Sequence, residues 1–350
     1  MEFITSQPMD LKKIDNMMHV SVIIVHYKTP QLLLECVSSI IDTTKDINYE
    51  IIIVDNNSED ESETLIKTNY SQVKWINSGY NAGFARANNI GIRAAEGEYV
   101  FLLNPDALLT NDYLTKMIMH YQELSVSSPV GLLTSRILSS IDNSLLVGTG
   151  IGFSGIRKEL EKNPFVIKWT QLFKQKMIDN AYNAEQMHLK NHEVDFVSGA
   201  CTLIKKDTLL NLNLYLDEDF FLYWEDVEWS FRVKKNGLKN FFFAGAEIFH
   251  VNSASTSKSK NWNAQIRISE FLFYSKRYNY LNFHLLGLLI RFNYFLNTLL
   301  LKRKKNEVLA SELNFDQTLF NEYFYSTSKR TNKEKSNNHS YLKYVEKTIK

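Results

Sequence analysis

The residues with the strongest chemical character form an acidic segment, 217–228, in which six carboxylates lie among aromatic side chains. Carboxylates this close together must be separated by a metal ion, by cationic partners or by shared protons, and such crowding is typical of a functional site. A helix beginning near Trp224 would put Asp226 in its first turn, where the helix dipole keeps a carboxylate ionised and able to accept a proton. Asp226 and Glu225 are therefore candidate bases, unless they only cap that helix.

A second candidate group consists of Asn104 and Asp106, which follow an apolar strand predicted over 99–103. A hard cation that holds a diphosphate needs only one or two protein carboxylates, so Asp106 is a candidate ligand of Mg²⁺ or Mn²⁺. His250, at the end of another apolar run, could complete the metal shell or contact the diphosphate. The structural alternatives are an Asn-Pro turn in which Asp106 caps a helix over 108–121, and a histidine that only ends a strand.

A third candidate segment, 79–91, combines glycines with hydrogen-bond donors. Glycine lets the backbone approach a ligand closely, and Arg86 with Asn88 could donate to phosphate or sugar oxygens. Another glycine-containing segment, 150–155, matches the dinucleotide fingerprint in form, but it follows a short apolar run, opens no clear amphipathic helix and lacks the later acidic residue. We predict that 150–155 is a loop.

Strands and helices that alternate along the chain must position these residues. Continuous apolar runs predict buried strands, at 20–25, 50–54, 73–76 and 99–103. Between them the spacing is helical, with Pro30 opening the first helix and a capping box of Ser58 and Glu61 opening the second. This alternation predicts an α/β fold with an open, mostly parallel sheet and right-handed crossovers.

Polar residues follow the carboxyl ends of these strands. Tyr27 comes after the first strand, Asp55 ends the second, and Asn104 and Asp106 come after the fourth. In open α/β sheets this edge is where ligands bind, so the four residues are predicted to share one site. Farther on, short strands are predicted near 131–133 and 145–147 and a longer one over 195–204. The aromatic and charged stretch 156–192 is expected to shape an acceptor site.

Composition excludes several classes of protein. With 44% hydrophobic residues, 13 glycines and 5 prolines, the chain is neither collagen-like nor wholly disordered. Forty basic against 39 acidic residues give a formal charge of +1, so no nucleic-acid partner is predicted. The two cysteines, Cys36 and Cys201, are too few for a disulfide framework and lack the spacing of a zinc site. The first 20 residues show no secretory signal. Together these features predict a reduced, cytoplasmic protein.

Residues 281–301 are mostly Leu, Phe and Ile and lead directly into four basic residues, 302–305. The length would allow a membrane span, but Arg291 in the middle costs about 2.5–3.5 kcal/mol on insertion scales. Two interpretations are equally favoured. One is a helix on the membrane face whose basic cluster contacts anionic head groups, and the other is an ordinary core helix with a basic cap. A true span ranks third.

Six ordered motifs resemble those of family 2 glycosyltransferases, in particular the rhamnosyltransferase-like branch. They are 21–27, 54–58, 81–91, 103–106, 223–228 and 232–237, and the resemblance covers about residues 20–255. It implies a GT-A fold, which is a Rossmann-like, nucleotide-sugar-binding α/β fold, here with a helical C-terminal extension. His26 and Lys28 depart from the commoner Asn-Tyr-Asn pattern after the first strand, and Asn104 replaces the first aspartate of the D-x-D motif.

The resemblance also implies roles for individual residues. Asp226 would be the catalytic base with Glu225 as the fallback, and Asp106 would take the place of the D-x-D motif, with His250 beside it as a metal candidate. Tyr27 and Asp55 would hold the pyrimidine base. The full set implied to bind the nucleotide sugar is Tyr27, Asp55, Asn57, Asn81, Gly83, Arg86, Asn104, Ser198 and Gly199.

The expected activity is an inverting, Mg²⁺- or Mn²⁺-dependent sugar transfer. The donor suggested by the Asn-Pro-Asp branch is dTDP-L-rhamnose, with UDP-hexoses as competitors, and the acceptor is a cell-surface glycan or a polyprenyl-diphosphate-linked saccharide. The alternatives are a nucleotidyltransferase and a non-catalytic nucleotide-sugar binder. The expected organisation is a flexible tail (1–19), a GT-A domain (20–265), a helical, membrane-proximal region (266–327) and a polar tail (328–350), peripheral at the cytoplasmic face of the cell membrane.

Overall fold

The computed structural model describes residues 19–146, 149–153, 155–161, 163, 188–250, 260–303, 317, 318 and 321. Its elements, in chain order, are β1 (His19–His26), α1 (Pro30–Thr43), β2 (Asn48–Asp55), α2 (Ser62–Asn69), β3 (Lys74–Asn77), α3 (Gly83–Ala94), β4 (Tyr99–Leu103), β5 (Ala107–Leu109), α4 (Tyr113–Ser127), β6 (Val130–Ser139), α5 (Ile156–Glu161), β7 (His192–Val194), β8 (Cys201–Lys205), α6 (Lys206–Asn211), α7 (Glu225–Lys235), β9 (Lys239–His250), α8 (Lys260–Arg277) and α9 (Tyr280–Arg303). The tails expected at 1–19 and 328–350 lie outside the described residues, except that His19 begins β1, and so does most of 156–192.

One sheet organises the described part of the chain, in the order β3-β2-β1-β4-β8-β6-β9-β5, with β7 paired to β9. The strands β1 to β4 are parallel, as predicted. The remainder is mixed: β8 runs antiparallel to β4 and β6, β9 runs parallel to β6, and β5 runs antiparallel to β9. Consequently one edge of the sheet contains the carboxyl ends of β1, β2, β4 and β9 and the amino ends of β5 and β8. We call it the sheet edge.

Helices cover both faces of this sheet, because side chains alternate between the faces along each strand. Val22 and Ile24 of β1 lie in one apolar cluster with α1, α2 and α4, whereas Ile23 and Val25 lie in a second cluster with α3, α6 and α7. Strands buried on both faces need continuous apolar runs, which explains why the sequence pattern of β1, β2 and β4 predicted them correctly.

Two predicted helix starts were wrong. The helix predicted over 108–121 begins at Tyr113, because Ala107–Leu109 pairs with β9 as a strand and Asp106 therefore precedes no helix. The second helix begins at Ser62 without a side-chain cap. Ser58 instead accepts a hydrogen bond from the backbone amide of Lys28, at 3.0 Å, and so joins two loops rather than starting a helix.

Three predicted strands have different bounds. The strand near 131–133 is part of the ten-residue β6, and beyond it Leu145 forms a single bridge with Leu138, whereas 147 lies outside the described residues. The strand predicted over 195–204 begins only at Cys201, because Gly199 and Ala200 form a turn before it. Among the described residues, α9 is the one helix long and apolar enough to cross a membrane.

Candidate active site

The sheet edge brings together the two candidate groups that the sequence separates by more than a hundred residues. Leu103, the last residue of β4, pairs with Cys201, the first residue of the antiparallel β8. The backbone amide of Asn104 donates to the carbonyl oxygen of Ala200 at 3.0 Å. The amide of the adjacent Gly199 donates to Oδ2 of Asp226, also at 3.0 Å. These two hydrogen bonds, through the turn formed by Gly199 and Ala200, thus join the end of β4 to the start of α7.

The chain turns sharply into α7. Tyr223 and Trp224 both have left-handed backbone angles, with φ of 67° and 68°, and this turn points the first residues of the helix toward the sheet edge. Asp226 accepts a second hydrogen bond from the amide of Val227, at 2.8 Å. Glu225 is 5% exposed, and its Oε2 has no hydrogen-bond partner among the described residues.

Burial dominates the electrostatics of Glu225 and Asp226. It raises the pKa of Glu225 well above the ordinary glutamate value, and the negative charge of Asp226 raises it further. Burial also raises the pKa of Asp226, and the amides of Gly199 and Val227 oppose this by donating to its carboxylate. The helix N-terminus, expected to keep Asp226 ionised, is therefore outweighed. Since ionised Asp226 raises the pKa of its neighbour, Glu225 is the member that retains its proton.

Each of the other four carboxylates of 217–228 has a Lys or Arg partner. Lys276 of α8 donates to Asp217 and to Asp219 at 2.6 Å. Glu218 accepts from Arg93 at 2.9 Å and from Asn89 at 3.0 Å, and Glu228 accepts from Arg232 at 2.7 and 2.8 Å. These cationic partners hold the acidic segment in position. Lys276 and Arg93 were not predicted, because they are distant in sequence and no local spacing connects them to the segment.

At the same edge, the carboxylate of Asp106 lies next to the imidazole ring of His250. Register pairs Ala107 of β5 with His250 of β9, which brings His250 Nε2 to 3.0 Å from Asp106 Oδ1 and to 3.2 Å from Asn104 Nδ2. Among the described residues, no group of three or more His, Cys, Asp and Glu side chains could hold a metal. One carboxylate and one imidazole fit an ion that keeps most of its coordination positions for water and phosphate oxygens.

The loops after β1 and β2 are tied together where Tyr27 and Asp55 lie. The register of β1 with β2 pairs His26 with Asp55, so Tyr27 follows directly beside it. The carboxylate of Asp55 accepts the amide of Ser58 at 3.2 Å, and Lys28 stands 5.2 Å from the centre of the Tyr27 ring. Asn57, with φ of 64°, forms the turn between them. Tyr27 thus lies in the loop next to the one that follows Asp55 and contains Asn57, and their role in binding the nucleotide stays a prediction.

Asn56, whose role was not predicted from the sequence, anchors the third candidate segment. Its buried amide group donates to Asn81 Oδ1 at 3.0 Å and accepts the amide of Ala82 at 2.7 Å. Asn81 Oδ1 also accepts the amide of Gly83, at 3.2 Å, so this side-chain oxygen shapes the loop before α3. The signal available in the sequence was its position directly after Asp55.

The beginning of α3 contacts the aromatic part of the acidic segment. Gly83 has φ of 78°, and a Cβ atom there would lie 2.3 Å from the carbonyl oxygen of Phe221. Phe84 donates its amide to that same oxygen at 2.7 Å, and its ring lies against Gly199. Arg86 follows on the same helix and is half-buried. Ser198 accepts the amide of Ala200 and so shapes the turn before β8.

Comparisons with known proteins complete the description. The family model described as glycosyl transferase family 2 matches residues 21–212. A low-salt glycan biosynthesis hexosyltransferase, Agl10, of Haloferax volcanii is 26% identical over 222 residues, and the match spans 62% of this chain and 62% of that protein's length. An N-acetylglucosaminyl-diphospho-decaprenol L-rhamnosyltransferase of Mycobacterium tuberculosis is 22% identical over 223 residues, covering 59% of this chain and 68% of that protein.

A solved structure shares the fold. The crystal structure of GalNAc-T7 with UDP, GalNAc and Mn²⁺ superposes with a TM-score of 0.50 at 16% identity, and the match covers 75% of this chain and 51% of that one. At this identity the similarity concerns the backbone arrangement alone.

Proposed function

Because the chain belongs to glycosyl transferase family 2 and has the GT-A fold, we propose that it transfers a hexose from a nucleotide sugar to a saccharide hydroxyl group. The observation that carries this proposal is the carboxylate of Asp226, which two backbone amides hold at the sheet edge beside the loop that follows β4. A carboxylate held in this way has one orientation, which a general base requires.

Asp226 acts as the base in this proposal. The acceptor hydroxyl attacks the anomeric carbon, its proton passes to the Asp226 carboxylate, and the bond between the anomeric carbon and the phosphate oxygen breaks. In-line attack inverts the configuration at the anomeric carbon. The raised pKa of Asp226 supports the role, because a stronger base removes the proton more readily once it is ionised. Glu225 keeps its proton and therefore serves as the fallback base only.

The donor lies along the remaining residues of the edge. Tyr27 and Asp55 hold the pyrimidine base, with Asn57 in the same turn. The diphosphate and sugar follow past a second group of residues, Asn81, Gly83, Arg86, Asn104, Ser198 and Gly199. Asp106 and His250, whose contact supports the assignment, would hold Mg²⁺ or Mn²⁺. The metal would neutralise the negative charge that develops on the departing diphosphate.

The names of the relatives support two classes of donor and one class of acceptor. The rhamnosyltransferase of M. tuberculosis supports dTDP-L-rhamnose and a polyprenyl-diphosphate-linked saccharide, whereas the hexosyltransferase of H. volcanii supports another nucleotide hexose, such as a UDP-hexose. An acceptor carried by a lipid requires the enzyme to work at the cytoplasmic face of the cell membrane. The alternatives of a nucleotidyltransferase or a non-catalytic binder have no observation in their favour among the described residues.

The experiment measures release of nucleoside diphosphate from a panel of dTDP- and UDP-sugars, with and without saccharide acceptors. Asp226→Asn should lower turnover about 10²–10⁴-fold, the contribution of a general base, without changing the circular dichroism spectrum. Asp219→Asn is the matched control, because this carboxylate of the same segment pairs with Lys276 of α8 and has no assigned role in the transfer, and it should keep turnover within a few-fold. Chelation followed by addition of Mn²⁺ tests the metal. Full activity of Asp226→Asn would refute the base assignment.

A further inference from the structure

The last described helix, α9, exposes a continuous apolar face. Six side chains on it are between 44% and 66% exposed, namely Leu281, Leu285, Leu288, Phe292, Phe295 and Leu299. Their spacing of four, three, four, three and four residues puts them within an arc of about 80° on a helix of 3.6 residues per turn. At 1.5 Å per residue the row is about 27 Å long. We call this row the α9 apolar face.

The opposite side of α9 is covered by the protein. Phe283, Leu286 and Ile290 are buried in a cluster with aromatic residues of α8. Asn293 is buried as well, where it donates to the carbonyl oxygen of Glu159 at 2.7 Å and accepts from Asn163 at 2.8 Å. Only 28% of the most apolar 18-residue window of α9 is buried. A core helix would bury this window, and a membrane span would have lipid around it rather than a polar, protein-covered side.

The charges of α9 indicate which partner covers its exposed side. The helix contains no Asp or Glu, and its last turn carries the exposed Lys302 and Arg303, followed in the sequence by Lys304 and Lys305. An apolar helical face that ends in a basic cluster matches the boundary between acyl chains and anionic head groups. A second copy of the chain fits less well, because α9 has no acidic residue and so cannot offer the basic end of a partner helix a counter-charge in either a parallel or an antiparallel pair.

We propose that the α9 apolar face binds an anionic lipid bilayer, with α9 lying in the plane of the membrane and its basic end among the head groups. The cluster behind α9 continues to the catalytic region: the ring of Trp224, which precedes Glu225, lies 5.5 Å from the ring of Phe273 in α8. Docking of α9 would therefore link the start of α7, through α8, to the bilayer surface in which a lipid-linked acceptor resides. That consequence, unlike the lipid binding itself, rests on the proposed function.

The test is flotation of the purified full chain with vesicles, in the absence of any sugar donor. Vesicles of phosphatidylcholine with phosphatidylglycerol should bind the wild-type chain, and added salt should weaken the binding. The double variant Leu288→Glu with Phe292→Glu should bind at least about tenfold more weakly, since it removes two apolar side chains from the lipid and adds two negative charges. Its matched control is Val126→Glu with Ile141→Glu, two side chains 89% and 87% exposed elsewhere, which should bind as the wild type does.

Several results would overturn the proposal. These are no binding of the wild-type chain to anionic vesicles, undiminished binding of the α9 variant, or equal loss in both double variants. A dimer that dissociates in the α9 variant without any vesicle binding would assign the face to a second copy, and resistance of the membrane-bound chain to alkaline extraction would assign it to a span. Because no donor is present, these results do not depend on the sugar-transfer assay, and failure of that assay leaves lipid binding intact.

Discussion

At the residue scale, Glu225 and Asp226 share one buried region but differ in their contacts. The carboxylate of Asp226 accepts two backbone amides, whereas Oε2 of Glu225 has no partner in the described part of the chain. A buried carboxyl group with one oxygen unpartnered is least costly when it is neutral. Keeping Glu225 protonated therefore lets Asp226 alone carry the negative charge, which reduces the repulsion between adjacent acids.

This difference predicts how stability depends on pH. The folded pKa of Glu225 lies above the unfolded value of 4.5, so the folded state binds the proton more tightly and the free energy of unfolding falls as pH rises from about 4.5 through the folded pKa. Glu225→Gln, which stays neutral, should remove this fall. The variant should match the wild type near pH 4 and exceed it at pH 7 in urea unfolding, by about 1.4 kcal/mol for each unit of pKa difference.

Glu218→Gln provides the control of opposite sign. Burial alone would raise the pKa of Glu218, but hydrogen bonds from Arg93 and Asn89 outweigh it and lower the pKa. The ionised form of Glu218 therefore stabilises the fold. Because this side chain is partly exposed, its neutralisation should lower the free energy of unfolding at pH 7 by at most about 1 kcal/mol. A loss of stability in Glu225→Gln at pH 7 would contradict the assignment of Glu225 as the protonated member.

At the element scale, the site depends on the starts of α3 and α7. Residues in the left-handed region mark both starts: Gly83 is the first residue of α3, and Tyr223 with Trp224 directly precede α7. The two starts meet through the carbonyl oxygen of Phe221, which accepts the amide of Phe84. Neither helix has a side-chain cap, so the contact between them satisfies a donor that would otherwise be left open at the start of α3.

A pair of glycine variants tests this contact. Gly79→Ala and Gly83→Ala both introduce a side chain at a φ near 80°, but a Cβ meets nothing within 4 Å at Gly79 and lies 2.3 Å from the Phe221 oxygen at Gly83. Backbone strain alone should cost about 1–2 kcal/mol in each variant. Gly83→Ala should cost about 1–3 kcal/mol more in urea unfolding, because Phe221 must move. Equal losses in the two variants would show that α3 and Phe221 are not in firm contact.

At the scale of the whole molecule, one aromatic cluster joins the sheet domain to the C-terminal helices. It contains Phe220 and Trp224 of the acidic segment together with residues of α8 and α9. Lys276 adds ion pairs from α8 to Asp217 and Asp219. The helix α8 runs across the boundary expected between 265 and 266, and that boundary stays a prediction. The cluster implies that α9 and the candidate active site unfold together.

Two leucines of α9 test this cooperativity. Leu286 is 1% exposed and Leu288 is 59% exposed, so the same change to alanine removes very different packing. Leu286→Ala should cost about 2–5 kcal/mol, whereas Leu288→Ala should stay within about 0.5 kcal/mol of the wild type. The aromatic circular dichroism signal and the far-ultraviolet signal should shift together in Leu286→Ala. A separate transition confined to one of the two signals would contradict a single cooperative unit.

The local sequence pattern was sufficient to predict the parallel half of the sheet. The strands β1, β2 and β4 are buried on both faces, and such strands require continuous apolar runs that can be recognised without knowing their neighbours. Tyr27, which follows β1, and Asp55, which ends β2, come to one edge because parallel strands end on the same side. The helix start near Trp224 was also correct, because it depends on adjacent residues.

The rest of the site was decided by tertiary contacts, whose partners are far apart in sequence. The direction of β8 is such a case: only because it runs antiparallel to β4 do Ser198 and Gly199 lie beside Asn104. The pairing of the acidic segment with Lys276 of α8 is another. The sequence alone determined which residue types could do chemistry and which strands would carry them. Strand direction, ion pairing and the exposed side of α9 depend on which surfaces pack against each other, and no local spacing encodes that.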